Sequence, residues 1–218
     1  MSTHTDARPG ETPTTVRAFL AGEWPVYRAL RLQALQDTPD AFGSTWTEEA
    51  ARQADAWQER LRAGVESGAD LPLLALAADM PAGLCWAKQD ADDSRRVHLF
   101  QMWVAPEHRG IGLGRQLLRG AIDWAGARGA QSLCLGVTLG DSRALRLYRA
   151  AGFVAVGEAE ALRPGSALRS QAMRDSMTLN INRTAAAQVV TTEMQLRSNA
   201  QAAAKAKSAS MGKLNKLA

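Results

Sequence analysis

Apolar positions recur along this chain with two periods, and the changes from one to the other lay out a mixed α/β plan. Residues 14–20 (TTVRAFL) form a short run rich in β-branched and aromatic side chains, which predicts a first strand. Leu30, Ala34 and Leu35 then fall at helical spacing behind Gly22-Glu23-Trp24-Pro25; Pro25 suits a first turn, and the helix should stop before Pro39. A second helix is signalled by the capping box Thr45-x-x-Glu48 and by Trp46, Ala50, Ala54, Trp57 and Leu61 in steps of three and four. Gly64 and Gly68 are expected to close it. Residues 71–78 (LPLLALAA) and 82–88 (AGLCWAK) read as a hairpin turning around residues 79–82. Residues 97–104 (VHLFQMWV) are apolar on both faces, which predicts a central strand. Leu113, Leu117, Ala121, Ile122 and Ala125 mark one side of a helix ended by Gly129, and residues 131–138 (QSLCLGVT) give the next strand. A short helix over 142–151 stops at Gly152. Residues 153–157 and 172–181 are two further strands separated by a polar loop with Pro164 and Gly165. The predicted order is β-α-α-β-β-β-α-β-α-β-β.

Composition narrows the class. The chain has 218 residues, 46% hydrophobic and 22% charged, as expected of one soluble domain with extensions. Its apolar runs fall well short of the ~20 residues of a membrane span, and residues 1–13, polar with Pro9, Gly10 and Pro13, read as a disordered N-terminus without a secretory core. A cytoplasmic protein with no membrane partner is the expectation. Cys85 and Cys134 sit inside apolar runs and are expected to be buried free thiols; no Cys/His cluster has metal-ligand spacing, so no metal is expected. Residues 182–218 hold six basic residues against Glu193 alone, leaving twenty basic and twenty-one acidic residues elsewhere. That break sets a basic, Ala/Lys-rich tail apart from a domain over 14–181. Without aromatics the tail does not point to nucleic acid.

The stretch with most chemistry is residues 103–118, WVAPEHRGIGLGRQLL. Arg109, Gly110, Ile111, Gly112, Leu113, Gly114 and Arg115 lead from a strand into a helix, where backbone N–H groups without crowding Cβ atoms can converge on an anion. Spacing excludes two common phosphate loops. No Lys-Ser or Lys-Thr follows the glycines, and Gly110, Gly112 and Gly114 run at every second position instead of as G-x-G-x-x-G.

Arg109-Gly110-Ile111-Gly112-Leu113-Gly114 resembles the R-G-x-G-x-G/A loop of the GNAT superfamily of N-acetyltransferases. About thirty residues on, Ala144, Leu147, Tyr148, Gly152 and Phe153 resemble the family's N-x-x-A-x-x-L-Y-x-x-x-G-F segment, with Asp141 where Asn is usual. The resemblance covers residues 14–181 and implies a mostly antiparallel central sheet flanked by helices. It also implies acetyl-CoA as co-substrate, its pyrophosphate on the loop amides, and transfer of the acetyl group to a primary amine by direct attack. A strand splayed at a bulge would then offer Met102 and Val104 to the acetyl oxygen and the pantetheine arm. Tyr148, on the same helix face as Asp141, would protonate the leaving thiolate. Arg109 and Arg115 are candidates for the phosphates, with Gln101, His108 and Arg143 behind them. Arg119 reads as a solvated position.

The base is less defined: His98 has a suitable ordinary pKa, and Glu158 lies near the expected acceptor side. An ionised Asp141 can cap a helix but cannot donate a hydrogen bond, which keeps open a non-catalytic acyl-CoA-binding or regulatory module; Ser142 can cap instead. The loops over 36–45 and 159–171, with Asp40, Trp46, Glu160, Arg163 and Arg169, should line the acceptor site. A small-molecule amine is expected in preference to a protein N-terminus, and homodimers are frequent in such proteins.

Overall fold

Pairing of the strand-forming segments produces one sheet, which a computed structural model describes for residues 12–140 and 142–176. Residues 1–11, Asp141 and residues 177–218 lie outside the described residues, and with them most of the N-terminal stretch expected to be disordered, the end of the last predicted strand and the basic tail. The chain runs β1 (Thr14–Ala18), α1 (Trp24–Asp37), α2 (Trp46–Ala50), α3 (Ala54–Glu66), β2 (Asp70–Ala77), β3 (Met80–Gln89) and β4 (Arg96–Val104). It continues through α4 (Leu113–Ala127), β5 (Ser132–Thr138), α5 (Arg143–Ala150), β6 (Val154–Ala155), β7 (Glu160–Ala161) and β8 (Arg169–Ser176). The strand order is β1-β2-β3-β4-β5-β8-β6, with β7 on β8. Every pairing is antiparallel except that of β4 with β5. This is the mixed, mostly antiparallel sheet expected.

Helices cover both faces, which is why the central strands are apolar throughout. On β2, Leu71, Leu73, Ala75 and Ala77 join the core beneath α4, while Leu74 enters the core beneath α1 and α3. The second core is aromatic. Tyr27 stacks edge-on to Phe19 and Trp57 at 5.8 and 5.6 Å between ring centres, and Trp86 lies 5.5 Å away. Burial of these rings and of Leu30, Leu35, Leu61 and Leu84 stabilises by roughly 1.5–3 kcal/mol for each large side chain.

Three differences from the sequence reading have local causes. The single helix expected from residue 45 is two, α2 and α3, because the chain turns at residues 51–53 and so brings Arg52 and Arg60 together on the buried carboxylate of Glu49. The predicted capping box does start α2: Thr45 accepts from the Glu48 N–H, and Glu48 reaches back to the Thr45 N–H. Gly64 does not end a helix; it lies inside α3, where an added Cβ would stand 2.2 Å from the Trp86 ring. Finally, β8 begins three residues earlier than expected, and the short β7 pairs with it.

Alanine is normally the better helix former, by about 1 kcal/mol over glycine. At position 64 the sign should reverse, because the new methyl must push the Trp86 ring out of the aromatic core. Gly64→Ala is expected to lower the urea midpoint by an equivalent of about 1–3 kcal/mol; an unchanged or raised midpoint would show that Trp86 can yield at no cost.

Candidate active site

β4 carries the irregularity on which the site is built. Trp86 pairs with Phe100 and Leu84 with Trp103, so Gln101 and Met102 together face the single residue Cys85. Gln101 takes up the extra length with φ at 56°, in the left-handed region. Its side chain is held across the sheet by the Tyr27 hydroxyl, which donates to Oε1 at 3.0 Å. The bulge also resets which face each residue meets. Val97 and Leu99 lie in the α4-side core and Trp103 in the α1-side core, while Met102 and Val104 pack back towards α4.

Beyond the bulge the sheet opens. Parallel pairing of β4 with β5 ends at Leu99 and Leu135, and the two strands then diverge. The Ala105 N–H bonds to the Ala82 carbonyl on the β3 side at 2.8 Å. By the alternation of a strand, Val104 and Met102 turn their backbone groups the other way, towards the gap. A cleft of about 2290 Å³ fills this gap and continues beneath α1 and α3.

At one end of the cleft lies the glycine loop. Gly110 and Gly112 have φ of 88° and 91°, and Gly112 is the cap from which α4 starts. A Cβ on Gly110 would meet nothing within 4 Å, so the loop presents open backbone to the cleft. The first N–H groups of α4 have no partners within the helix, and its dipole makes this end positive. Arg115 and Arg143 are exposed and line the same end. Ser142 caps α5, accepting from the Leu145 N–H at 3.0 Å.

Tyr148 lies on α5, buried against Phe153 and only 6% exposed, and it lines the cleft. No protein group among the described residues hydrogen-bonds its hydroxyl. Burial pushes the phenol above its ordinary value, with the nearby Cys85 adding to the shift. Cys85 itself is enclosed, its thiol raised by burial and 3.9 Å from the Leu117 carbonyl. Cys134 is a half-buried free thiol. Among the described residues no cluster of His, Cys, Asp and Glu could hold a metal ion.

Several candidates sit elsewhere than the sequence suggested. Arg109 lines the cleft but is engaged: its Nε donates to the Val104 carbonyl at 2.9 Å and its Nη2 pairs with Asp37. Asp37 also accepts from Trp103 Nε1 at 2.8 Å, so one carboxylate at the end of α1 ties that helix to β4 and to the glycine loop. Asp37 was invisible as a site residue because its partners are 66 and 72 residues away. His98 stands outside the cleft lining, 2.8 Å from Asp90, and their hydrogen bond holds the Asp90 carboxyl down at about 2. Glu158 is exposed and also outside the lining, so neither proposed base reaches the cleft. Half-buried His108 does not line it either, whereas Gln101 does. Arg119 pairs with Asp123 on the outer face of α4. Asp141 lies outside the described residues.

The second loop expected around the cleft acts mainly as a brace. Arg163 donates to the carbonyls of Pro39 and Phe42 at 3.1 and 3.0 Å, and Thr138 donates to the Asp40 carbonyl at 2.6 Å. These bonds fasten the turn after α1 over the open end of β5. Asp40 and Leu162 line the cleft, while Trp46, Glu160, Arg163 and Arg169 do not.

Comparison with known proteins agrees with this geometry. The model of the acetyltransferase (GNAT) family matches residues 31–153, more than half of the chain. Streptothricin acetyltransferase of Streptomyces lavendulae is 44% identical over 64 residues, 29% of this chain and 34% of that protein. Mycothiol acetyltransferase of Stackebrandtia nassauensis is 31% identical over 145 residues, 64% of this chain and 44% of that protein. This chain therefore spans less than half the length of these two curated relatives. Among solved structures, an acetyltransferase from Salmonella typhimurium with its cofactor acetyl-CoA superposes with a TM-score of 0.64 at 18% identity, covering 76% of this chain and 95% of that one. That likeness is one of fold. With a family model over residues 31–153 and the same fold in solved acetyltransferases, the chain belongs to the acetyltransferase (GNAT) family.

Proposed function

We propose that this protein is an acetyl-CoA-dependent N-acetyltransferase that moves the acetyl group to a primary amine by direct attack. The observation that carries the reading is the opening between β4 and β5, with the glycine loop at its mouth and Tyr148 in its wall. The parts divide the work in space. Backbone N–H groups at Gly110, Ile111, Gly112, Leu113, Gly114 and Arg115 receive the pyrophosphate, and exposed Arg115 and Arg143 add charge beside it. Met102 turns its backbone groups, and Val104 its N–H, the Val104 carbonyl being held by Arg109, to the pantetheine arm and the acetyl oxygen, where an N–H donor stabilises charge as it develops. Arg109 serves this end indirectly: it pins Val104 and the loop to Asp37.

In the reaction the amine nitrogen attacks the thioester carbon. A C–N bond forms, the C–S bond breaks, and the nitrogen loses a proton to solvent water. Tyr148 gives its proton to the departing thiolate and recovers one from solvent. Because its pKa is raised, the protonated form persists through and beyond the ordinary phenol value of 10.0. Burial in that apolar wall therefore keeps the acid loaded. The names of the streptothricin and mycothiol acetyltransferases support a small-molecule amine, while that of a ribosomal protein bS18 alanine N-acetyltransferase, 31% identical over 110 residues, favours a protein terminus.

Tyr148→Phe should lower kcat by about 10²-fold or more with little change in acetyl-CoA affinity; unchanged turnover at saturating substrates would remove Tyr148 from the mechanism. In the parent enzyme kcat should show no alkaline fall between about pH 8 and 10, since the acid loses its proton only above that range. A falling limb in this window that Tyr148→Phe abolishes would contradict the raised phenol. Gly112→Glu strains the left-handed turn and places a carboxylate in the anion site, so acetyl-CoA should no longer raise the melting temperature. A retained shift would locate the co-substrate elsewhere.

A further inference from the structure

The part of the cleft beneath α1 and α3 contains a cation that the proposed transfer does not use. Arg31 lies on α1, is 2% exposed and lines the cleft, yet its Nε and Nη1 have no hydrogen-bond partner. Its guanidinium packs 4.6 Å over the Phe42 ring, and burial lowers its pKa. The charged groups facing it are Glu49 and Arg60, with the Tyr27 phenol beside them. Glu49 is already engaged: Oε2 accepts from Arg52 Nε at 2.8 Å, and both oxygens accept from Arg60 at 3.1 and 3.2 Å. One carboxylate therefore serves two guanidiniums by hydrogen bonds and stands near a third.

The other carboxylates along the cleft do not relieve this excess. Asp37 is held by Arg109 and Trp103, Asp70 by Trp86 Nε1, and Asp90 by His98. Asp40 lies 3.8 Å from Arg163 and is largely exposed. An enclosed guanidinium with unmet donors is costly, because each buried unsatisfied polar group loses its hydration for nothing. Arg31 stands in the wall of the cleft, so an anion that enters there and reaches its guanidinium would remove that cost.

We propose that Arg31 is the docking point for a carboxylate on the acceptor, so that the enzyme acetylates a compact amine that also carries a carboxylate rather than a polyamine. This rests on the acetyl-transfer reading above. Position fits the assignment. Tyr27, four residues before Arg31 and so about 6 Å along α1, holds Gln101 at the bulge beside the reacting centre. Arg31 thus stands one helical turn from the residue that contacts the bulge, so both groups of a compact amino acid would meet neighbouring parts of one wall.

The test compares acid with amide at the same amine. At saturating acetyl-CoA, thiol release is measured with β-alanine and β-alaninamide, γ-aminobutyrate and its amide, and spermidine. Binding of each to the CoA-saturated protein is followed in parallel by tryptophan fluorescence. The parent should prefer each acid over its amide, and both over spermidine. Arg31→Met should raise KM, or Kd, for the acids about tenfold or more with kcat little changed and the amides unaffected; Arg31→Lys should restore part of the preference. Equal treatment of acid and amide by the parent, in turnover or in binding, overturns the carboxylate site and leaves acetyl transfer standing, and so does a preference that survives in Arg31→Met. Acid-selective binding that is lost in Arg31→Met, without turnover of any amine, sustains the site and counts against the transfer reading. If none of the acids binds or reacts, the site is refuted. Should both variants fail to fold by circular dichroism, the parent's acid-to-amide ratio decides alone.

Discussion

A parallel pair of strands that stops pairing halfway is the constraint on which the rest of this structure depends. β4 and β5 are neighbours only as far as Leu99 and Leu135, because the extra residue at Gln101 and Met102 bends β4 out of register with β3 and away from β5. Backbone groups left without a strand partner are costly when buried and valuable when turned to a ligand. Here they open into a cleft between two helical layers. The bulge also divides the side chains: Met102 and Val104 pack under α4 and close to Gly114 and Leu147, while Trp103 fills the aromatic core.

Fixing that gap requires bonds across long stretches of chain. Tyr27 reaches the bulge from α1, Asp37 gathers Trp103 and Arg109 at the end of the same helix, and Arg163 and Thr138 hold the following turn over β5. α1 is thus bonded to the bulge at one end and to the glycine loop at the other. Displacement of this helix would reach both ends of the cleft, so the proposed acceptor side and the cofactor loop share one support. The Arg109–Asp37 pair is about one-quarter exposed, and its value lies in fixing geometry more than in raw stability.

Two parts of the cleft present positive charge of different kinds. At the glycine loop it comes from helix dipole and backbone N–H groups, supplemented by exposed arginines that salt can screen. Under α1 it comes from a buried guanidinium whose neighbouring acid, Glu49, is committed to Arg52 and Arg60. The first suits a highly charged phosphate chain approached from solvent; the second suits a single, largely desolvated anion. Tyr148 stands in an apolar part of the wall, where low polarity holds its proton.

Local rules written in the sequence determined most of the fold. The alternation on β2, the period of α4, the Thr45-x-x-Glu48 cap and the glycines at 110 and 112 each act within a few residues, so their outcomes could be read directly. The places of the glycine loop and of Tyr148 beside the cleft were legible for the same reason, being tied to a spacing and a family pattern. Tertiary contact alone decided the rest. That Gly64 admits a tryptophan instead of ending a helix, that Arg109 pairs with Asp37, and that His98 pairs with Asp90 outside the cleft all depend on partners set by folding. Arg31 is the extreme case. In the sequence it is one of two arginines on the first helix; only packing against Phe42, with Glu49 already taken, makes it a buried cation in need of an anion. Burial and pairing of a charge belong to three-dimensional neighbours, and no local pattern carries them.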